Sequence, residues 1–508
     1  MSNPLFSPQD LRRIAEQGIS PAEARAQLER LARGPHYANL ERPCRAGDGI
    51  RRLSPEELAR LGARWETEAA KGRGMKFVPA SGAGSRMFQS FSKILHGEDD
   101  PAAKAAMHEL RRFPFYEALR DAMAATGLSL DNCLNDQDYQ AVASFLLTEK
   151  GLNYASLPKA LVLFHHYPEG SRTPLEEHLV EAAAYLKDSQ GRCRLHFTVS
   201  EEHLPIVKAF FQKIQTHYQT GGTRYEVDFS IQKKSTDTLA ADRQNLPFRD
   251  RNGELVFRPA GHGALLQNLE ASGGDIVFLK NIDNVSPEGG SFEAVAYKKA
   301  MAGYLLEIQE TCFAYLRRLE HGALTAAEAA EIEAFVSSTL SATLPPDWPE
   351  RDAAAREHWM FERLHRPLRV AAMVPNQGEP GGAPFWVEEP GIGFSIQVIE
   401  SAQVDRRDPE QERLFRSSSH FNPVDLVCGI RDYRGRPFAL ADFVDAEAGF
   451  LSEKSYEGRP LRALELPGLW NGGMARWNTV FVETPAKTFT PVKKAEDLLR
   501  PDHRLGSS

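Results

Sequence analysis

Residues 75–87 read Met-Lys-Phe-Val-Pro-Ala-Ser-Gly-Ala-Gly-Ser-Arg-Met: a short apolar run, a loop of small residues, then an arginine. Glycines let backbone amides approach an anion closely, because no side chain blocks the way and positive φ costs little. A helix opening after such a loop adds unpaired N–H groups and a positive dipole end. Arg86 adds a rigid fork of donors suited to phosphate oxygens. Ser81, Gly82, Ala83, Gly84 and Ser85 are therefore candidate phosphate-binding residues, although the same spacing also makes a tight strand-to-helix turn. Other segments offer chemistry to the same kind of ligand. Leu157-Pro158-Lys159 sets a lysine before an apolar run, and Phe229-Ser230-Ile231-Gln232 ends a strand-like run on an amide that donates and accepts at once. In Pro259-Ala260-Gly261-His262-Gly263 two glycines flank a polar ring and lead into a helical pattern. Lys280-Asn281-Ile282-Asp283-Asn284 comes after the apolar run 276–279, and a carboxylate at the carboxyl end of a sheet strand faces the ligand crevice. Such a carboxylate is a hard oxygen donor of the kind Mg2+ takes. Each segment alone also has a plain structural reading: a solvated lysine, a surface glutamine, a glycine turn, a turn aspartate.

Taken in order, the glycine loop, Pro-Lys, strand-Gln, Gly-His-Gly and strand-Asp-Asn resemble the nucleotidyltransferase superfamily, and within it the uridine-diphosphate-sugar pyrophosphorylases. The resemblance covers roughly residues 75–285. In that family the Pro-Lys motif usually follows the glycine loop closely, whereas here an insertion separates them. The resemblance implies a glycosyltransferase-A-like fold and a Mg2+-dependent reaction. By its terms Gly82, Gly84 and Arg86 hold a triphosphate, Lys159 balances phosphate charge and Asp283 anchors the metal. Gln232, Gly261, His262 and Gly263 contact the base and ribose, which favours a uridine nucleotide.

Further along, His420-Phe421-Asn422-Pro423-Val424-Asp425, Leu466-Pro467-Gly468-Leu469-Trp470-Asn471-Gly472-Gly473-Met474, residues 477–483 and Thr488-Phe489-Thr490-Pro491-Val492-Lys493 are similar to a bacterial family labelled only as domain of unknown function number 4301. Polar residues set among aromatics there imply a half-buried polar surface. It is either the pocket of a phosphorylated acceptor, with Asn422, Trp470 and Asn471 as contacts and Asp425 as a second metal ligand, or a seam between domains. Lys454 is placed to reach a sugar phosphate or to stay in solvent, and Gly378–Gly382 either cradles phosphate or turns. Glu362 and His365 lack the order of a zinc-protease helix, and no Gly-x-Ser-x-Gly elbow is present.

These residues need elements to hold them. At 508 residues the chain is long enough for two to four domains. Its 42% hydrophobic and 26% charged content is that of a globular protein in water. The net charge of −8, without a basic block, argues against a nucleic-acid partner. No run of membrane-spanning length and no signal-like start are evident, and five scattered cysteines match neither a disulfide framework nor a zinc site. The expected location is the cytoplasm. Residues 1–70 read as polar helices, with Ser-Pro-x-Glu starts at Ser20 and Ser54. Residues 71–296 form the nucleotidyltransferase-like core, helical in an insertion over 90–150. Strands are expected at 162–164, 195–199, 225–230 and 275–279, with helices at Pro174–Leu186 and Leu204–Tyr218 between them. Residues 297–365 are helical, with Leu305, Ile308, Cys312, Leu316 and Leu319 in one buried stripe. Residues 366–508 form a C-terminal α+β part with a strand at 394–399. Leu505–Ser508 is expected to fray.

The implied fold class is α/β: a Rossmann-like, mostly parallel (mixed) sheet of the nucleotide-diphospho-sugar transferase type, with N-terminal helices, helical insertions and a β-rich C-terminal part. The function implied is transfer of a nucleotidyl group, uridylyl favoured, from a nucleoside triphosphate to a sugar phosphate or similar acceptor, with release of pyrophosphate. Two rivals stand beside it. One is a nucleotide-sugar-dependent glycosyltransferase, which would usually carry Asp-x-Asp where this chain has Asp283-Asn284. The other is a nucleotide-binding sensor or scaffold without turnover.

Overall fold

The computed structural model describes residues 5–290, 292–376, 378, 381–389 and 393–504. Gln377, Glu379 and Pro380 of the Gly-rich loop, and Leu505–Ser508, lie outside the described residues. The chain divides into two compact units. The first comprises Met1–Pro55, Gln232–Val277 and Met301–Thr484; the second comprises Glu56–Ile231, Phe278–Ala300 and Pro485–Ser508.

The second unit is built on parallel strands. Gly74–Pro79 pairs with Arg192–Val199, which pairs with Arg224–Ile231, all parallel, and Ile276–Lys280 lies on the other side of Gly74–Pro79. Parallel neighbours need long crossovers, and helices supply them. Helix Pro174–Leu186 starts where expected because Thr173 and Glu176 form a reciprocal capping box and Pro174 occupies the first turn. Helix Leu204–Tyr218 comes after Arg192–Val199 and has a proline in its first turn but no side-chain cap. The insertion is helical, with Gln89–Leu95, Pro101–His108, Tyr116–Ala124, Leu130–Asn135 and Tyr139–Leu147. Its aromatic core of Phe88, Phe91, Phe113 and Phe115 also contains Val162, Phe164, Val285 and Val492. Burying Val285 and Val492 fixes the two loops that carry Asp283 and Lys493, so the insertion helps to position the site.

In the first unit, Leu368–Pro375 runs parallel to Asn478–Glu483 and antiparallel to Asp425–Gly429, and Gly49–Arg51 adds a further parallel strand. Leu40–Pro43, Ala383–Glu389 and Gly393–Ile399 make an antiparallel sheet. Helices Pro8–Gln17 and Pro21–Arg33 bury Ile14, Leu28 and Leu31 against Leu239, Ala241, Leu255 and Leu464. On the long helix Phe292–Glu320, Leu305, Ile308, Cys312 and Leu316 are buried as one stripe and Leu319 is half-buried.

Two local expectations are corrected. Residues 162–164 are not a strand: a 3-10 turn, Lys159–Leu161, leads into an apolar loop whose Val162 and Phe164 fill the core of the insertion. Residues 40–51 are short strands rather than helix. All five cysteines are free thiols. Among the described residues no helix is long and apolar enough to cross a membrane.

Candidate active site

Strand Gly74–Pro79 enters the glycine loop, and a 3-10 turn, Gly84–Arg86, precedes the helix Gln89–Leu95. The loop therefore does not open directly onto an α-helix, and the anion-binding start expected there is only a single tight turn. The loop is instead stitched to the Pro-Lys segment. The Gly84 amide donates to Leu157 O at 2.8 Å and the Lys159 amide to Gly82 O at 2.9 Å. The two glycines differ. A Cβ at Gly84 would stand 2.6 Å from Tyr154 O and 3.0 Å from Leu157 O, so packing requires glycine there. Gly82 is exposed, with no atom within 4 Å of where its Cβ would be, so its backbone is open to a ligand. Ser81, Ser85 and Arg86 are exposed and Ala83 is half-buried.

The chain then brings three distant groups together. Asp283 stands just past strand Ile276–Lys280. Its Oδ2 accepts from Lys159 Nζ at 3.0 Å and from Lys493 Nζ at 3.1 Å. Lys159 Nζ also donates to Val492 O at 3.1 Å, and the Val492 amide donates to Asp283 O at 3.0 Å. Asn284 Oδ1 accepts the Thr490 amide at 3.1 Å, and Thr490 Oγ1 donates to Val285 O at 2.9 Å. Residues 283–285 and 490–493 thus form one tied pair of loops. Burial raises the Asp283 carboxyl, but the ammoniums of Lys493 and Lys159 outweigh it and hold the group below the usual carboxylate range. Its second oxygen, Oδ1, is buried and has no hydrogen-bond partner among the described residues. Lys159 is nearly buried at 12% side-chain exposure, whereas Lys493 is 54% exposed while its Nζ bonds Asp283. The cluster sets two ammoniums on one carboxylate.

Beneath it lies a buried charge knot. Glu181 of helix Pro174–Leu186 accepts Lys280 Nζ at 2.8 Å and lies 3.3 Å from Lys76 Nζ and 3.6 Å from Lys298 Nζ. Lys76 belongs to the strand that ends in the glycine loop and Lys280 to the strand that ends at Asp283. One carboxylate therefore ties together the two strands that present the site. Burial lowers Lys76 to about 7 against the opposing pull of Glu181. His178 Nε2 donates to Ile282 O at 3.2 Å, which fixes the backbone just ahead of Asp283. Burial and the nearby lysines keep that imidazole neutral.

The Gly-His-Gly segment belongs to the first unit, where it builds a different setting. His262 stacks on Trp470, with ring centroids 4.0 Å apart and planes at 12°. Its Nδ1 accepts the Leu469 amide at 3.0 Å, so the neutral ring carries its proton on Nε2, 3.8 Å from Glu400 Oε1. Burial lowers His262 to about 4, despite Glu465 nearby. Burial also raises the Glu400 carboxyl, although the side chains of Trp470 and Asn471 donate toward it. Glycine is needed at 263 and 468 because the loops touch: a Cβ at Gly263 would lie 2.1 Å from Pro467 O, and one at Gly468 2.6 Å from His262 Cε1. Gly261 has φ +76 and sits against Glu465. Asn471 Nδ2 donates to Val398 O at 3.1 Å, and Asn471 lines a cavity of about 370 Å³ with Tyr37, Val387, Gln397, Val398 and Ala475. The result is a cup of neutral rings and amides round two carboxylates, Glu400 and Glu465.

The other candidates take plainer places. Gln232, just past strand Arg224–Ile231, donates to Asp237 Oδ1 at 3.1 Å. Asn422 is buried and bridges its own turn, donating to Ala372 O at 3.0 Å and accepting the Val424 amide at 3.2 Å. Lys454 pairs with Glu465 at 2.9 Å. Asp425 opens strand Asp425–Gly429 and is 7% exposed. Among the described residues no group of three or more His, Cys, Asp or Glu side chains could hold a metal ion. Sequence reasoning missed Lys493 as a site residue. The signal available was the Pro-x-Lys pattern of 491–493, a second proline-anchored lysine like Lys159. It also missed Glu400 and Glu181, which single sequence positions do not mark.

Parallel strands wrapped by helices, with a glycine loop after one strand and a lysine-bridged aspartate after another, define an α/β protein of Rossmann-like type with a site suited to phosphate groups. The chain belongs to the family described as domain of unknown function DUF4301, whose model matches residues 7–504. No curated protein matches it by sequence. Among solved structures it is similar to a UDP-glucose pyrophosphorylase from Leishmania major in complex with UDP-Glc, at 14% identity and TM-score 0.46, covering 98% of this chain and 79% of that one. It is also similar to two Trypanosoma brucei proteins. One is a UDP-glucose phosphorylase (13%, TM-score 0.47, 97% and 77% covered). The other is a uridine diphosphate N-acetylglucosamine pyrophosphorylase in complex with an inhibitor (13%, TM-score 0.49, 98% and 82% covered). At these identities and TM-scores the likeness says nothing of activity, which rests on the residues of this chain.

Proposed function

We propose that this protein is a nucleotidyltransferase that joins a nucleoside triphosphate, UTP by preference, to a sugar phosphate and releases pyrophosphate. The observation that carries the reading is the Asp283 carboxylate held by Lys159 and Lys493 at the end of a sheet strand, with the Lys159 backbone bonded to the open glycine loop at Gly82. In the reaction a phosphate oxygen of the acceptor attacks the α-phosphorus in line. The bond from that phosphorus to the bridging oxygen breaks, and pyrophosphate leaves with the electron pair. Such a transfer needs no protein nucleophile; it needs alignment and neutralised charge.

Arg86 and Lys493, both exposed, bind the triphosphate and offset the charge gathering on the leaving pyrophosphate. Lys159, nearly buried, keeps Asp283 ionised and oriented. Asp283 Oδ1 would hold Mg2+, since that ion accepts a single protein oxygen when phosphates and water supply the rest. Bound there, Mg2+ would polarise the α-phosphate. In the first unit Gln232 and the Gly261–Gly263 backbone suit a uracil and ribose, and Glu400, Trp470 and Asn471 suit the hydroxyls of a sugar. A carboxylate without a cation beside it is a strong acceptor for neutral hydroxyl groups.

The test is pyrophosphate release with Mg2+, each of the four ribonucleoside triphosphates and a panel of sugar 1-phosphates. Release that needs both substrates and is lost in Asp283→Ala is the expected result. Silence across the panel, with a nucleotide still raising the melting temperature, would replace this reading with a nucleotide-binding protein that does not turn over.

A further inference from the structure

In the second unit a separate cleft of about 500 Å³ is lined by Arg111, Arg112, Tyr116, Tyr167, His503 and Arg504. That volume suits a small-molecule ligand. Three arginines and one carboxylate, Glu117, line it. Arg111 gives Nη2 to Asp131 at 2.6 Å. Arg112 gives Nη1 to Glu109, which leaves its other guanidinium nitrogens without an acceptor among the described residues. Arg504 donates Nη2 to Leu499 O at 2.5 Å, which leaves its Nη1 without an acceptor among the described residues; its Nε is buried out of reach. Glu117, which also lines the cleft, is already paired with Arg120. Unused guanidinium donors over aromatic walls are the chemistry that recognises a phosphate ester carrying a ring or short chain.

Both walls continue into the loops of the Asp283 site. Leu498 lies in the turn Ala495–Leu499 and His503 in the turn Pro501–His503, with Arg504 directly after it. Asp497 in the first of those turns accepts the amides of Lys493 and Lys494 at 2.8 Å each. On the facing wall Tyr167 Oη accepts the Glu288 amide at 2.9 Å, five residues beyond Asp283, and donates to Glu177 at 2.8 Å. A buried chain joins the walls: Glu177 accepts from His165 Nδ1 at 2.9 Å, and His165 Nε2 lies 2.9 Å from His503 Nδ1. A ligand gripped by Arg112 and Arg504 therefore bears on the segment that sets Lys493 against Asp283.

We propose that this cleft is an effector site for a phosphomonoester, and that its occupancy adjusts the placement of Lys493. The binding claim stands alone; the effect on turnover rests on the nucleotidyltransferase reading above. The full-length protein is titrated by calorimetry with inorganic phosphate, 3-phosphoglycerate, hexose 6-phosphates and nucleoside monophosphates. The titrations use a background of Arg86→Ala/Lys493→Ala that weakens the first site. Saturable binding is expected to persist in that background and to fall about tenfold or more on adding Arg112→Glu/Arg504→Glu. Amide exchange in 495–504 is expected to slow when ligand binds. If the reversal unfolds the protein, as read by circular dichroism, Arg112→Gln/Arg504→Gln decides instead. Binding that disappears with Arg86 and Lys493, or that ignores Arg112 and Arg504, or that is matched by chloride, overturns the proposal. Preference for one ester over inorganic phosphate distinguishes a metabolite from free phosphate as the natural occupant. Failure of turnover with cleft binding intact would count against the enzyme reading only.

Discussion

Asp283 and Glu400 each stand just beyond the end of a β-strand, in opposite electrical settings. Two ammoniums meet one oxygen of Asp283 and keep it charged. Glu400 has no lysine or arginine paired with it among the described residues; its neighbours are a neutral imidazole, an indole, an amide and the Glu465 carboxylate, and burial, with that second carboxylate, lifts its carboxyl above the usual range. The first arrangement is suited to a highly charged ligand, because two cations outweigh one anion. The second can tell one uncharged ring from another, because oriented neutral dipoles discriminate hydroxyl positions without drawing in phosphate. The second unit thus holds a cluster dominated by cations, and the first a cup without one.

The largest expected effect comes from the first arrangement. Lys493→Ala removes the exposed ammonium that would meet pyrophosphate, and kcat is expected to fall about 100- to 1000-fold with little change in melting temperature. Lys159→Ala should cost as much in rate and more in stability, because Lys159 is nearly buried and also bonds Val492 O. In the cup, by contrast, Glu400→Gln is expected to raise KM for the sugar phosphate about tenfold while leaving the affinity for triphosphate unchanged. Equal effects of Lys493→Ala and Glu400→Gln on triphosphate binding would erase the proposed division.

Glu181 sharpens the contrast between carboxylates. Glu181→Ala leaves the buried ammoniums of Lys76, Lys280 and Lys298 without their shared counter-charge. A loss of about 3–5 kcal/mol is expected, read as a shifted urea midpoint. Glu400→Gln, a nearly isosteric change at a partly exposed group, is expected to cost under about 1 kcal/mol.

A smaller effect separates the two glycines of the loop. In Gly84→Ala the new methyl meets two backbone carbonyls that cannot swing away, at 2.6 and 3.0 Å. A loss of about 1–3 kcal/mol is expected. Gly82→Ala meets nothing and should leave stability unchanged while weakening triphosphate binding, since the methyl stands where the ligand would approach. The opposite pattern would make Gly82 an ordinary turn residue.

Much of the second unit was legible because its signals are local. Thr173-Pro174 with Glu176 announces a capped helix, and the apolar runs about 195–199 and 225–230 are bounded strands. Where apolar residues serve an irregular loop, as at 162–164, the pattern misleads: burial is real but the backbone is not extended into a ladder. The short strands at 40–51 were hidden by their charged, half-exposed composition. The Gly-x-Gly-x-Arg spacing was visible, yet it could not reveal that Gly84 answers to Tyr154 and Leu157 while Gly82 answers to nothing. Lys493 was out of reach for a different reason. It meets Asp283 across 210 residues, and only tertiary packing of Val285 and Val492 into the insertion brings them together.

Titration gives the finest test of the two settings. The usual pKa of histidine, 6.5, is lowered to about 4 at His262, so between those values the unfolded chain binds a proton that the folded chain refuses. Stability therefore falls as pH drops through that window, by up to one proton's worth of slope from this group. His178, His196, His365 and His503 are also lowered by burial and contribute to the same fall. Asp283 acts elsewhere: its carboxyl is depressed below 3.8, so its stabilisation is full above that value and is lost only as pH falls further. His262→Gln should accordingly flatten the dependence of the urea midpoint on pH between 6.5 and about 4, without touching the steeper loss below it. Asp283→Asn should do the reverse. A His262→Gln protein whose midpoint still tracks the wild-type curve would mean that the imidazole is protonated in the cup. Glu400 would then have a charged partner after all, and the distinction between a cationic cluster and a neutral one would fail at its most exposed point.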